Sequence, residues 1–217
     1  MSKPRSTVGL STYERIKHDI IFGALAPGSK LKLEGLRERY AASVPTLRET
    51  LNRLTADGFV AAEEQRGFFV TQVSREDLIE IANLRALLEC HALRQSVENG
   101  DAEWEGNLVA AHHKLHLMER KLLAGDLSEK ETWKRYDWEF HLATIQACNS
   151  RNLLALHSNI FDKYLRYQML VLTYRGDTAV REHKAIFDAA LARDAGLASE
   201  MLEQHILNGL THALEAF

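Results

Sequence analysis

The chain has 217 residues, 46% of them hydrophobic and 26% charged, a composition that suits one or two folded domains and excludes a disordered chain or a fibre. Two cysteines are too few for a disulfide framework, and the sequence shows neither a signal peptide nor the roughly 20 uncharged apolar residues that span a bilayer, so we expect a cytoplasmic protein with no membrane partner. The net charge of −3 argues against a protein that coats nucleic acid, but residues 1–74 carry +3 and the remainder −6, so a polyanion should meet the N-terminal third.

The first third of the sequence predicts three short helices and a hairpin. Apolar residues at positions 13, 16 and 20 recur at helical spacing, and a turn at residues 26–28 ends that helix. A second helix is predicted over about residues 33–40. Ser43 can cap a third helix, whose apolar stripe is Leu47, Leu51 and Leu54. Residues 59–62 and 68–70 are typical of two strands around a polar turn.

Three helices and a hairpin in about 65 residues match a winged helix-turn-helix, whose third helix enters the major groove of DNA. Arg48, one turn into that helix, has forked donors that can read a guanine edge or clamp a phosphate. Ser43 and Thr46 lie at its N-terminal end, where hydroxyls and free N–H groups bind phosphate. Arg66 beside Gly67 can follow a groove from the hairpin tip. Taken singly, these are ordinary surface residues, and only their combination favours a DNA interface.

The same residues resemble the GntR superfamily of bacterial transcription regulators. The resemblance covers the whole N-terminal domain and includes Leu47-Arg48-Glu49-Thr50-Leu51 and Gly67-Phe68-Phe69-Val70. It implies a DNA-binding domain over residues 1–74. The chain has Glu34 and Val44 where the family usually has arginines, so no operator sequence can be transferred to it.

From residue 75 onward the chain has no proline and no strand pattern. We predict about six helices, separated by breaks that contain glycine or asparagine, over residues 75–98, 102–124, 128–148, 151–173, 178–193 and 196–216. Without an internal repeat, they should form a single antiparallel bundle. The predicted protein is therefore mainly α, with a winged helix-turn-helix over residues 1–74 and an all-α domain over 75–217.

Nine of the ten histidines follow Ser74, and several lie on apolar helix faces. Asp137 and His141 are four residues apart and so share one face, whereas His183 and His205 lie on apolar stripes of two further helices. A lone inward histidine is usually a hydrogen-bonded core residue. Four inward polar groups are harder to explain in that way, and together they are a suitable ligand set for Zn²⁺ or Ni²⁺.

The stretches that carry these four residues resemble the metal-ligand stretches of the FCD effector domain, the FadR-type C-terminal domain of the same superfamily. With Arg85-Ala86-Leu87-Leu88-Glu89, the resemblance covers nearly all of residues 75–217. It implies that Asp137, His141, His183 and His205 bind the metal, with His212 as the obvious rival ligand. Residues 101–105 and 161–167 also resemble a branch of repressors of carbon-starvation and dicarboxylate-catabolism genes.

Arg85 lies in an apolar stripe, where a guanidinium needs an anionic partner. Glu89, four residues on, can be that partner, or Arg85 can bind a ligand. The FCD resemblance implies that Arg85 meets an organic-acid effector, with Arg135 and Arg166 as further candidates. A divalent ion with one aspartate and three neutral histidines keeps a charge of about +1 and Arg85 adds another, which favours a small anion.

Together these features predict a homodimeric repressor that binds a palindromic double-stranded operator and is released by a small carboxylate at its metal site. One recognition helix contacts too few base pairs for useful specificity, and a two-fold protein matches a palindrome. Two alternatives stay open. In a metal sensor the ion itself would be the signal, and in a metal-dependent hydrolase the ion would activate water. No convincing general base accompanies the cluster, so we do not expect an enzyme.

Overall fold

The computed structural model describes residues 8–126, 128–171 and 175–216. Within these ranges the chain forms nine α-helices and one three-stranded sheet. The predicted mainly α architecture is therefore confirmed. The last two residues of the helix predicted over 151–173 lie outside the described ranges. Among the described helices, none has the length and apolar character that a membrane span requires.

The chain folds as two compact units that are interleaved in sequence. The first unit comprises the chain as far as Leu78 together with a helical segment that begins at Asp162. The second unit comprises Ile79–Phe161 and the chain after residue 172. The division at Ser74 made from charge and pattern stays a prediction.

The first unit contains three helices before its hairpin, as the apolar spacing predicts. Ser43 caps the third of them and Pro45 occupies its first turn, where a missing N–H costs nothing. Leu47, Leu51 and Leu54 are fully buried along its inner face. The elements are α1 Val8–Ile21, β1 Lys30–Leu31, α2 Leu33–Tyr40, α3 Val44–Ala56, β2 Val60–Glu63 and β3 Gly67–Val70.

The sheet has the order β1-β3-β2, and both neighbouring pairs are antiparallel. Strands β2 and β3 form the predicted hairpin, with Glu63 opposite Gly67 at its tip. Strand β1 was not predicted. It is two residues long, and it forms because Lys30 and Leu31 pair with Phe69 and Phe68 far along the chain. Two residues are too few to show the alternating pattern by which a strand is predicted.

The second half of helix α7 (Arg151–Val171) belongs to the first unit. Arg166 is buried there and donates from both terminal nitrogens to Thr71, at 2.8 Å to its hydroxyl and 2.6 Å to its carbonyl. The Tyr167 hydroxyl accepts from the backbone N–H of Ser74 at 3.1 Å and donates to Asp77 at 2.6 Å. These bonds hold the segment that follows the hairpin.

The second unit holds the larger core, which draws on all of its helices. Leu93, Leu108, Leu115, Phe140 and Ile186 are among its fully buried residues. The remaining helices are α4 Arg75–Asn99, α5 Ala102–Leu123, α6 Lys130–Ile145, α8 Asp177–Leu191 and α9 Ala195–Ala216. With α7 they match the six predicted helices, with ends that differ by three residues at most.

Candidate functional site

The N-terminus of α3 carries the first group of predicted DNA contacts. The Ser43 hydroxyl accepts a hydrogen bond from the Thr46 backbone N–H at 3.3 Å and lies 2.9 Å from the Thr46 hydroxyl. Arg48 is exposed one turn further on. The capping bond therefore fixes the start of the helix and leaves the guanidinium in solvent, where it can reach a groove.

The hairpin tip carries the second group. Gln65 and Gly67 have φ values of 59° and 95°, a left-handed conformation that glycine adopts without strain. Arg66 between them is 69% exposed, pairs with Glu63 and lies 5.3 Å from the ring centre of Phe69. An exposed cation on a tight turn is suited to following a backbone or a minor groove.

In the second unit the three predicted histidine ligands converge. One ring nitrogen from each of His141, His183 and His205 lies within 4.8 Å of the other two, although they come from α6, α8 and α9. All three side chains are buried. Neither the rival His212 nor the predicted ligand Asp137 is part of this group of mutually close atoms, although Asp137 lies beside His183. We refer to these three residues with Asp137 as the histidine cluster.

Each histidine of the cluster has a glutamate at its Nδ1 atom. Glu119 Oε1 lies 2.6 Å from Nδ1 of His183, and Glu182 Oε2 lies 2.8 Å from Nδ1 of His205. Glu89 Oε1 bonds Nδ1 of His141. A carboxylate at Nδ1 fixes the tautomer whose Nε2 carries a lone pair, which is the usual arrangement around metal-ligating histidines.

The Nε2 atoms test whether this arrangement suits a metal. Nε2 of His141 and Nε2 of His183 are buried and have no hydrogen-bond partner within the described parts of the chain. Burying an unsatisfied polar atom costs about 1–3 kcal/mol. Two such atoms in one cluster, each with a carboxylate on the opposite ring nitrogen, fit a site that holds a divalent ion.

Asp137 supplies the carboxylate of the cluster. Its Oδ1 lies 3.3 Å from Nε2 of His183 but is not aligned with it for a hydrogen bond, and its Oδ2 lies 3.5 Å from Nζ of Lys134. Both Asp137 and Lys134 are buried. Burial opposes ionisation of Asp137, but Lys134 and the nearby histidines hold its carboxyl pKa well below the usual range. The aspartate is therefore an anion in this setting.

The protonation of the three rings follows from burial and neighbouring charge. Burial lowers the pKa of His205 well below its ordinary value and lowers that of His141 against the opposing effect of Glu89. Burial also disfavours the charged form of His183, but the carboxylates of Asp137 and Glu119 raise its pKa. Two rings are thus ready as neutral ligands, and a proton on His183 would leave when a metal binds.

Arg85 meets Glu89, one of the two alternatives that the sequence left open. Its Nε donates to Oε2 of Glu89 at 2.8 Å, and its Nη2 lies 3.1 Å from Nδ1 of His141. His157 on α7 approaches the same Oε2 atom with its Nε2 at 3.1 Å. Burial opposes ionisation of Glu89, but Arg85 and His141 hold its pKa well below the usual range. Arg85 is also 4.5 Å from the ring centre of Phe161.

A similar arrangement surrounds His205. Arg175 donates to Oε2 of Glu182 at 2.7 Å, and its Nη2 lies 3.1 Å from Nδ1 of His205. Asn208 donates to the other oxygen of Glu182 at 2.7 Å. The other two arginine candidates have different partners: Arg166 bonds Thr71 within the first unit, and Arg135 is 61% exposed beside Glu139.

The sequence reasoning missed the residues that surround the cluster: Glu119, Lys134, His157, Arg175 and Glu182. Glu119 gave a usable signal, because it continues the buried stripe of Leu108, Ala111 and Leu115 on α5. A charged residue on an apolar stripe needs a partner, which is the argument that singled out Arg85. Arg175 lies in a loop before α8, where no periodicity marks it.

Comparison with known proteins supports the assignment of both units. The family model for bacterial regulatory proteins, gntR family, matches residues 9–70, and the FCD domain model matches residues 80–208. The chain is 38% identical over 203 residues to the uncharacterized HTH-type transcriptional regulator BphR of Paraburkholderia xenovorans (strain LB400), covering 93% of this chain and 83% of that protein. It is 35% identical over 207 residues to the HTH-type transcriptional repressor GlaR of Escherichia coli (strain K12), covering 91% and 92%.

Among solved structures, E. coli McbR/YncC matches with a TM-score of 0.80 over 96% of this chain and 98% of that one, at 22% identity. A GntR regulator from Rhodococcus sp. RHA1, described as putative in its structure determination, matches with a TM-score of 0.77 at 21% identity, over 96% and 98% of the two chains. At these identities the match shows a shared fold.

Proposed function

This chain belongs to the gntR family of bacterial regulatory proteins and carries an FCD domain, and from that premise we propose that it is a dimeric repressor released from its operator by a small carboxylate. Its family and its relatives are transcriptional regulators, not enzymes, as the sequence predicts. The repressor assignment is supported by GlaR, an HTH-type transcriptional repressor of which the chain covers 92%.

The proposed DNA contacts are Ser43, Thr46, Arg48, Arg66 and Gly67. Their support is the capped, exposed start of α3 and the exposed cation at the hairpin tip. Two copies would place two recognition helices on the half-sites of a palindrome, which is why we propose a homodimer. Such binding should weaken steeply with salt, because cations that neutralise phosphates release counterions.

The proposed cofactor is a divalent ion, Zn²⁺ or Ni²⁺, held by Asp137, His141, His183 and His205. The observation that carries this proposal is that Nε2 of His141 and Nε2 of His183 are buried and accept or donate no hydrogen bond among the described residues, while Nδ1 of each ring is bound by a glutamate. When bound, the ion supplies a positive charge to which a carboxylate can attach.

The charges around the cluster refine the proposed effector. The rings are surrounded by four carboxylates and three basic side chains: Glu89, Glu119, Asp137, Glu182, Arg85, Lys134 and Arg175. The protein therefore contributes a formal charge of −1, and a divalent ion brings the charge of the site to +1. Counting only the ion, Asp137 and Arg85 gives a charge of +2. The charge of the full site is one unit lower, because three glutamates offset the positive charges of Arg85, Lys134 and Arg175. We propose that Arg85, Lys134 and Arg175 favour a small mono- or dicarboxylate.

The test uses the full chain, loaded with Zn²⁺ or Ni²⁺, on DNA from the gene's own upstream region. Organic acids of three to six carbons are screened by thermal shift, and each acid that binds is added to an operator titration. A coupling of about 1–3 kcal/mol would weaken operator binding roughly 5- to 150-fold. Neutral or cationic ligands as the sole hits would contradict the carboxylate proposal. Operator binding that follows metal concentration without any acid would identify a metal sensor instead.

A further inference from the structure

Glu119 is a buried acidic side chain with a single hydrogen bond in the described part of the chain. It lies on α5 among apolar residues, has no exposed surface, and bonds Nδ1 of His183 through Oε1 at 2.6 Å. Its second oxygen, Oε2, is buried and has no hydrogen-bond partner among the residues that the structure describes. Besides His183, a second histidine ring lies nearby, with Nδ1 of His116 3.9 Å from Oε2.

The other two glutamates of the site are held by more than a histidine. Glu89 also accepts from Arg85 and lies beside His157, and Glu182 also accepts from Arg175 and Asn208. The ion pair with arginine would by itself explain the position of each of these two glutamates. Among residues 8–126, 128–171 and 175–216, Glu119 forms a hydrogen bond to His183 and none to an arginine, so the bond to His183 is the interaction that accounts for its position.

A buried carboxylate with one hydrogen bond is costly, because a charged group loses its hydration when it is buried. An apolar residue would fill the stripe of α5 without that cost. What a carboxylate adds at this point is an acceptor that keeps a proton on Nδ1 of His183 and the ring in one orientation.

We propose that Glu119 is a positioning residue of the metal site, which holds Nδ1–H of His183 so that Nε2 stays available to an ion shared with His141 and His205. The inference rests on the proposed metal binding and adds a residue to it. Glu119 does not touch the ion. It acts through the ring, by fixing its rotation and by making Nε2 a better electron donor, as carboxylates do behind metal-bound histidines.

The decisive variant is Glu119→Gln, which keeps the shape of the side chain but lets its amide donate to Nδ1. A donor at Nδ1 favours the opposite tautomer, with the proton on Nε2. Zn²⁺ affinity, measured by competition with a chromophoric chelator, should fall by about 10- to 100-fold. The control is Glu103→Gln, an exposed position on the same helix, which should bind Zn²⁺ as the unmodified chain does.

A second readout separates positioning from a general loss of stability. In the Zn²⁺-loaded protein, the imidazole Nδ1–H proton of His183 should move upfield in Glu119→Gln, while those of His141 and His205 keep their shifts. Equal movement of all three would assign Glu119 a general structural role and overturn the proposal. So would an unchanged Zn²⁺ affinity.

If Glu119→Gln does not fold, Glu119→Asp decides, because it keeps the charge and draws the acceptor back by one methylene. Its Zn²⁺ affinity should be lower than that of the unmodified chain, and an equal affinity would overturn the proposal. An unmodified chain that binds no Zn²⁺ or Ni²⁺ would instead refute the metal site of the proposed function, and with it the premise of this inference.

Discussion

Arg85 and Glu89 lie one helical turn apart on α4 and form an ion pair in which neither side chain is more than 2% exposed, with Nε 2.8 Å from Oε2. Glu89 in turn bonds His141, a residue of the histidine cluster. Arg85 is thus connected to the proposed metal ligands through a carboxylate. Its removal affects both the charge of the site and the stability of the unit.

The first prediction concerns that stability. Arg85→Ala should lower the free energy of unfolding by about 3 kcal/mol or more, because it leaves a buried carboxylate without its cation. Urea unfolding followed by circular dichroism measures the change. Arg94→Ala, at an exposed position of the same helix, should stay within about 0.5 kcal/mol. Equal effects of the two substitutions would show that the ion pair contributes little.

The second prediction concerns DNA. Arg48→Ala should weaken specific operator binding by about 1–3 kcal/mol if the guanidinium reads a base, and should relax specificity at one position of each half-site. Fluorescence anisotropy with specific and scrambled duplexes measures both effects. Arg94→Ala removes the same charge from the second unit and should leave affinity unchanged. Unchanged operator affinity in Arg48→Ala would remove the recognition role from this residue.

The third prediction concerns metal content. The purified chain should retain about one divalent ion after reconstitution and dialysis, and His183→Ala or His141→Ala should lose it, since each removes one of four ligands. Elemental analysis gives the stoichiometry. His113→Ala, an exposed histidine on α5, is the matched control. If the unmodified chain and both ligand variants are equally free of metal, the histidines are core residues.

The fourth prediction compares two glycines of the first unit. Gly58 has a φ of +82°, and a Cβ there would lie 2.7 Å from Nζ of Lys163, whereas a Cβ at Gly35 would meet nothing within 4 Å. Gly58→Ala should therefore destabilise by about 1–3 kcal/mol. Gly35→Ala, within helix α2, should stabilise by up to about 1 kcal/mol. Thermal unfolding of both variants tests the opposite signs.

The fifth prediction concerns thiol reactivity. Burial and the neighbouring Glu89 raise the pKa of the Cys90 thiol to about 11. A raised pKa keeps the thiol protonated at neutral pH, so the thiolate fraction at pH 8 is about a hundredfold below that of an ordinary cysteine. Alkylation of Cys90 by iodoacetamide should rise about tenfold per pH unit between pH 8 and 10. A rate that levels off near pH 9 would contradict this assignment.

Much of the fold could be predicted from periodicity, and so could the inward orientation of the three histidines of the cluster. His141, His183 and His205 each lie on an apolar stripe, and a 3.6-residue period shows which face of a helix turns inward. The family resemblance then joined the stripes into one site. Strand β1 could not be predicted in this way, because its two residues depend on pairing with distant Phe68 and Phe69.

The carboxylates behind the rings also escaped prediction, for a related reason. Periodicity places Glu119 on the inner face of α5, but it does not say that α8 carries His183 within reach of it. Such contacts depend on which helices are neighbours and on their axial offset. The same holds for Arg175, whose loop position has no period at all.

The assignment of the end of α7 to the first unit has a consequence for how the protein is made. Thr71 bonds Arg166 and Ser74 bonds Tyr167, and in both pairs the second residue is synthesised more than 90 residues after the first. A ribosome synthesises the hairpin long before it reaches them, so the first unit emerges incomplete and is completed only after most of the second unit has been synthesised. A fragment ending at residue 74 would share that incomplete state permanently, and nascent chains should resist proteolysis in this region only after α7 has left the ribosome.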